Sequence, residues 1–415
     1  MATSDESRLL SLPMELLTRI TDMLNDESLS TLRLTCKTLE GVAFKRFTKT
    51  FAVSYCCMYY EARWLSLKKF LRGSPRLVRN LKCIDFTTNP LERHHYTEMQ
   101  LAPGEEFHDI LGAQEQFDMR EANEEELFEP LYADRQASRN LIHSVFLDLS
   151  ELAPYASIGF DLTHTRFFRE EDIVLHRDIF LAIASFSCPL SELVLSRHCL
   201  DDIEDLKAHL GDRLLSCTSC LHSFTFKSVH FLDVEFGDSL DESKLEFLAS
   251  ILRSAESLFC LNLELDEYRL SVDPWAITKK LLFANTLTFL EQLSLHATSV
   301  PEKQLLKVIA SCKTSLNILN LGGVRLLDSG DGWATIFQSL MKLSRLDFLR
   351  LSCLTTSGAI GVASVSELDF HNVKHWDKVT NTHIVFNTRR KVAAGLQDLT
   401  SGPLLYTERL SGHVD

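Results

Sequence analysis

Apolar residues recur at helical intervals in the first ~50 residues. Leu16, Leu17, Ile20 and Leu24 fall on one side of a helix, with Glu15, Arg19 and Asp22 on the wet side. Pro13 suits the first helical position, with Ser11 or Leu12 at the cap. The stretch Asn25-Asp26-Glu27-Ser28 interrupts the run, and Ser28 is placed to cap a second helix carrying Leu29 and Leu32. A third stretch begins near Thr35 and carries Cys36, Leu39, Val42 or Ala43, and Phe47. Three helices within about forty residues make a bundle with little room inside. Leu12, Leu16, Ile20, Leu29 and Leu32 exceed what it can absorb, which predicts an exposed apolar patch of the kind that marks a partner site.

A different periodicity takes over further along. The pattern Leu-x-x-Leu-x-Leu occurs as Leu190/Leu193/Leu195, Leu221/Phe224/Phe226 and Leu258/Leu261/Leu263, then as Leu290/Leu293/Leu295, Leu316/Leu319/Leu321 and Leu346/Leu349/Leu351. Weaker copies lie at Leu81/Ile84/Phe86 and Val365/Leu368/Phe370. Ten positions after the start, Leu200, Phe231, Tyr268, Val300 and Leu326 form an apolar column that Thr356 breaks. Helical faces intervene: Leu245, Leu248 and Leu252 share one, as do Ile336, Phe337, Leu340 and Leu343. Asp273-Pro274 and Val300-Pro301 give start signals for two more helices.

Strand, loop and helix, repeated at about thirty residues, resembles the leucine-rich repeat, whose strands line the inside of an arc and whose helices line the outside. That family's buried Asn or Cys, eight residues after each start, is replaced by His198, Val229, Asp266, Thr298, Val324 and Leu354. Irregular turns and an uneven arc are therefore expected. An ordinary α/β domain with leucine-rich strands is the alternative.

The segments between these patterns differ in composition. Residues 51–80, with Tyr55, Tyr59, Tyr60, Trp64, Leu67, Phe70 and Leu71, read as a helical bridge. Residues 81–180 form a first irregular repeat region, and 181–377 the main array. Within the former, 101–140 is an acidic insertion, dense in glutamate from Glu105 to Glu129, expected to be partly helical or disordered. Residues 1–8 read as a flexible tail. Residues 378–415 read as a cap, with a strand around Ile384-Val385-Phe386, followed by a flexible end.

Charge and cysteine usage narrow the function. A net charge of −14 opposes nucleic-acid binding, which needs a basic face. No secretory signal and no bilayer-spanning apolar run is expected. Eleven cysteines among apolar neighbours suggest reduced thiols in a cytoplasmic or nuclear protein. Cys217-x-x-Cys220 with His222 is an incomplete zinc pattern, and small buried side chains explain it. His94-His95 has no neighbouring ligand set, and Cys56-Cys57 lies in an aromatic stretch and reads as packing. No nucleophile elbow, phosphate-cradling loop or His-Glu-x-x-His motif occurs, so no cofactor or catalytic set is assigned.

The run from Leu10 to Phe47 carries a resemblance. Leu12-Pro13-x-Glu15-Leu16, Ile20, Leu24, Leu29, Leu32-Arg33, Cys36-Lys37 and Leu39 are similar to the F-box motif, and the stretch Arg33 to Glu40 is similar to F-box proteins of filamentous fungi. Many F-boxes carry an aromatic residue just after the Cys-Arg/Lys pair, where this chain has Leu39. The resemblance implies a three-helix unit over 9–50 that binds the Skp adaptor, which bridges to a cullin scaffold. It assigns that contact to Leu12, Pro13, Leu16, Ile20, Leu24, Leu29, Leu32 and Cys36.

The expected fold is thus an α/β solenoid, an irregular leucine-rich-repeat arc preceded by a small F-box. The expected role is a non-catalytic substrate receptor of a Skp-cullin-F-box ubiquitin ligase. A protein substrate would lie on the outward strand positions Glu192, Lys227, Asn262, Glu264, Gln292, His296, Asn320, Phe348 and Arg350, with Ser196 and Thr225 beside them. The alternatives are a repeat scaffold acting outside ubiquitination and a hydrolase on an α/β domain.

Overall fold

The leucine columns become the core of one sheet. The computed structural model describes residues 12–25, 28–29, 31–32, 37–39, 41–43, 54–57, 61–86, 135–161, 170–196, 212–227, 242–265, 274–284, 287–327, 332–357, 365–369, 378–380, 383–401 and 405–409. In all six strong copies the three pattern positions, from Leu190 to Leu351, are at most 3% exposed. Residues alternate across a strand, so positions two apart face the same way and the intervening ones face out. Burying each such leucine or phenylalanine contributes about 1.5–3 kcal/mol, which explains why these columns set the register.

Nine strands pair in parallel and in chain order. They are β1 (Ser54–Cys57), β2 (Cys83–Phe86), β3 (Ser157–Asp161), β4 (Leu190–Ser196), β5 (Ser223–Lys227), β6 (Cys260–Glu264), β7 (Gln292–His296), β9 (Ile318–Gly322) and β11 (Phe348–Ser352). Parallel neighbours need a crossover, and helices supply it. These are α2 (Glu61–Gly73), α4 (Arg135–Leu152), α5 (Glu170–Ser185), a helical run over 212–218, α6 (Glu242–Ser254), α7 (Pro274–Leu282), α8 (Glu302–Ser311) and α9 (Trp333–Leu340). A further short helix, α3 (Pro75–Val78), follows α2. The leucine columns pair with one another, as Leu261↔Leu293↔Leu319↔Leu349 shows. The helices bury Leu248, Leu252, Ile277, Leu281, Leu305 and Ile336 into the same core. This is an open, mostly parallel α/β sheet, and no closed barrel forms among the described residues.

The region expected as a helical bridge also supplies the first strand. Trp64, Leu67 and Leu71 of α2 pack against the sheet, with the Trp64 ring 5.0 Å from Phe86 and Phe86 5.5 Å from Phe146 of α4. Two ion pairs tie the helices together. The Arg72 guanidinium donates to both oxygens of Asp148 at 2.7 and 2.9 Å, and Arg139 donates twice to Asp178 Oδ1 at 3.1 and 2.8 Å. Of the acidic insertion, 101–134 lies outside the described residues, and from Arg135 the chain is the long helix α4.

A second sheet arises from the positions ten places after the last three starts, while Leu200, Phe231 and Tyr268 of the same column lie outside the described residues. Strands β8 (Ser299–Pro301), β10 (Arg325–Leu327) and β12 (Thr355–Ser357) pair in parallel, placing Leu326 between Val300 and Thr356. The irregular turns expected from the missing Asn or Cys column are absent from these three copies. Ala297, Gly323 and Cys353 take φ of 48°, 61° and 49°, so the chain bends identically each time. Main-chain bonds do the satisfying instead. Ala297 N–H donates to the Gly322 carbonyl at 2.7 Å, Gly323 N–H to Ser352 at 2.8 Å and Arg325 N–H to Thr298 at 2.8 Å. With the amides paired this way, position eight can be apolar, and Val324 and Leu354 there are fully buried. His198, Val229 and Asp266 lie outside the described residues.

The C-terminal region corrects one expectation. The copy at Val365/Leu368/Phe370 does not extend the main sheet: β13 (Val365–Asp369) joins the second sheet, antiparallel to β12 and to β16 (Leu405–Arg409). The expected capping strand is present as β15 (His383–Phe386), antiparallel to β11 and to β14 (Lys378–Thr380). A helix, α10 (Arg389–Thr400), capped by the Thr388 hydroxyl, follows that strand, and of the expected flexible end 410–415 lies outside the described residues.

Near the N-terminus α1 (Met14–Met23) starts one residue later than the proline rule predicts, with Pro13 at the cap. Asn25, not Ser28, caps the next turn: its side-chain oxygen accepts from Ser28 N–H at 2.9 Å. Leu17, Leu39 and Val42 make a small core of their own, with Leu12 and Leu32 packed on it. Leu39 is thus a core residue of this unit.

Candidate functional site

Two surfaces stand out, and both trace to the two periodicities of the sequence. The first is on α1. Its buried stripe is Leu17 and Thr21, at 3% and 1% exposure, which leaves Leu16, Ile20 and Met23 on a second stripe at four- and three-residue steps. Leu16 is 45% exposed, Ile20 37% and Met23 86%; Met14, two residues before Leu16 and off that stripe, is 57% exposed. The eight residues assigned to adaptor contact therefore divide. Pro13, Leu16 and Ile20 are exposed, Leu12, Leu24 and Leu32 are half-buried, and Leu29 is fully buried. Cys36 lies outside the described residues. Met23 was missed, although the step from Leu16 through Ile20 to Met23 is the signal that finds it; Met14 lies off that stripe.

The second surface is the face of the main sheet opposite the leucines. The nine positions assigned to substrate contact all lie on it, in three rows set by the strand register. Glu192, Gln292 and Phe348 share one row with Ser223, Cys260 and Ile318. Asn262, Asn320 and Arg350 share the next with Thr225 and Ser294, and Lys227, Glu264 and His296 share the third with Gly322. From β4 to β11 the patch is about 24 Å wide, at about 4.8 Å per strand. All nine side chains are half-buried. Thr225 and Ser294, at 9% and 5% exposure, sit deeper than the residues flanking them.

The middle row has an unusual hydrogen-bonding state. Asn262 Oδ1 and Asn320 Oδ1 are screened from solvent, and neither has a hydrogen-bond partner among the described residues. In the third row the His296 ring lies over Gly322, where the Cε1 atom would stand 2.9 Å from a Cβ. Burial pushes the His296 pKa below its ordinary value, and Arg350 and Lys227 push the same way while Glu264 opposes. The folded state therefore binds this proton more weakly than the unfolded chain, and stability falls as pH drops through about 6.5. His296→Gln is expected to flatten the acid limb of a stability-against-pH curve by up to one proton, about 1.4 kcal/mol per pH unit. Urea midpoints measured between neutral and mildly acid pH check this.

Burial disfavours the thiolate at Cys83, Cys188, Cys217, Cys260 and Cys312. Burial pushes Cys83 and Cys188 up to about 12 and Cys260 to about 11, with the Asp85 carboxylate adding to the effect at Cys83. Cys217 is buried, its Sγ donating to the Ile183 carbonyl, whereas Cys220 and His222 are exposed and the His222 ring stacks on Phe259. His94-His95 and Cys56 lie outside the residues whose side chains are described. Among the described residues no group of three or more His, Cys, Asp or Glu is placed to hold a metal ion. No described helix is long and apolar enough to cross a membrane.

No protein-family model matches the chain, and no curated protein matches it.

Proposed function

We propose that this chain is a substrate receptor of a Skp-cullin-F-box ubiquitin ligase, docking the Skp adaptor through α1 and presenting a protein substrate on the open face of a leucine-rich-repeat arc. The observation that carries the reading is the Leu16, Ile20 and Met23 stripe. Apolar side chains one turn apart, with Leu17 of the same helix already satisfied inside the bundle, stay exposed among the described residues and suit a partner groove. They fall within the segment whose wording resembles an F-box. The chain-order parallel strands, each joined to the next through a helix, support the repeat reading. On this reading the protein performs no bond chemistry. It holds a substrate lysine near a ubiquitin-loaded enzyme and so raises its effective concentration.

The test is co-purification of the intact chain with a Skp adaptor. Binding is expected, and Leu16→Asp with Ile20→Asp is expected to weaken it at least about tenfold, because each variant buries a carboxylate in an apolar contact. Neither position is in the core, so the circular dichroism of the full chain should hold. An intact chain that fails to bind where a known F-box binds sinks the ligase reading and leaves a repeat scaffold acting elsewhere.

A further inference from the structure

We propose that the open sheet face seats an extended segment of the partner protein, laid across the strands, and not a folded surface. This rests on the reading of that face as the substrate side and names the class of substrate it takes. Asn262 and Asn320 carry the inference. They stand two strands apart in one register row, each half-buried, each with a screened amide oxygen lacking a partner among the described residues. A screened acceptor without a donor is a standing cost that an incoming N–H relieves. Rotation about the last side-chain torsion turns either amide oxygen or amide nitrogen outward. Each amide can therefore meet the N–H and C=O groups that an extended main chain offers in alternation, and that regular secondary structure in a folded partner has already used.

Charge gives the segment a direction. Asp85 and Glu192 share a register row at the β2–β4 end, with only Gly159 between them, and Glu264 adds a third carboxylate on β6. Lys227 on β5 is the single cation among them, while Arg350 on β11 marks the other end. The face fits a segment with a lysine or arginine over β4–β6 and an aspartate or glutamate over β11. The span from Glu192 to Arg350 is about 24 Å, which takes about seven residues of extended chain.

The probe is a phage-displayed library of random dodecapeptides panned on the full-length chain. The expected result is a set of enriched peptides with a basic residue toward one end and an acidic residue toward the other. Their affinity should fall about tenfold for Asn262→Ala with Asn320→Ala. Because a misfolded variant also loses binding, Arg350→Glu is panned as well. It should select peptides with a basic residue in place of the acidic one, a gain that misfolding cannot produce. Failure to enrich any peptide overturns the proposal, as does enrichment of peptides indifferent to both changes. A chain that selects such peptides but ignores the Skp adaptor sinks the ligase reading alone. A chain that binds the adaptor but selects no peptide sinks this one alone.

Discussion

Trp333→Ala should cost about 3–5 kcal/mol of stability, read as a drop in the urea midpoint by far-ultraviolet circular dichroism. Trp333 opens α9 and is fully buried, its ring stacked on Phe337 at 5.9 Å between centroids. Its indole N–H donates to the Thr355 carbonyl of β12 at 3.2 Å, so one side chain joins the helix layer to the second sheet. Alanine removes the largest apolar volume in that part of the core and leaves the carbonyl without its side-chain donor. Trp333→Phe separates the two contributions. It keeps most of the ring and loses the bond, so about 1–3 kcal/mol is expected, from the unsatisfied acceptor and the smaller volume together. A phenylalanine variant as unstable as the alanine one would show that the N–H, not the packing, holds β12 in place.

How far the sequence alone reaches can be judged from such positions. The six leucine patterns were legible because a leucine on the core face contributes far more than any polar neighbour contributes on the other, and that difference sets register. Register in turn put Glu192, Lys227, Asn262 and the other outward residues on one surface. The turns were not legible. A missing Asn or Cys ladder reads as a missing set of hydrogen bonds, yet a second row of short strands can make those bonds from the main chain. Ala297 and Cys353 at positive φ leave no trace in residue type, since glycine occupies that bend only at Gly323. The N-terminal helix illustrates a different limit. Periodicity finds the apolar residues of α1 but cannot separate Leu17, which the bundle buries, from Leu16, which it leaves out. That division depends on Leu39 and Val42 arriving from elsewhere in the chain.

The C-terminal end offers the sharpest test of packing, since the expected capping strand is followed there by a helix. Gly395, inside α10, rests directly on the Phe386 ring of β15. A Cβ at 395 would come within 2.8 Å of Phe386 Cδ1 and closer still to the ring edge. Glycine in mid-helix is itself unfavourable by about 1 kcal/mol, so its presence reflects this approach and not helix preference. Gly395→Leu gains helix propensity yet drives a side chain into a fully buried ring, and a net loss of about 3 kcal/mol is expected. Phe386→Ala alone should cost about 3–5 kcal/mol by leaving a cavity against β11. Together the two changes nearly conserve volume, because the leucine fills the space the ring vacates. The double variant should therefore lie within about 1.5 kcal/mol of the original and above both single variants. Urea unfolding of the four proteins closes the cycle. A double variant no better than the worse single one would mean that α10 does not close the sheet through this contact. In that case the last strands of the open face, Arg350 on β11 among them, would have to be held by β14 and β15 pairing alone.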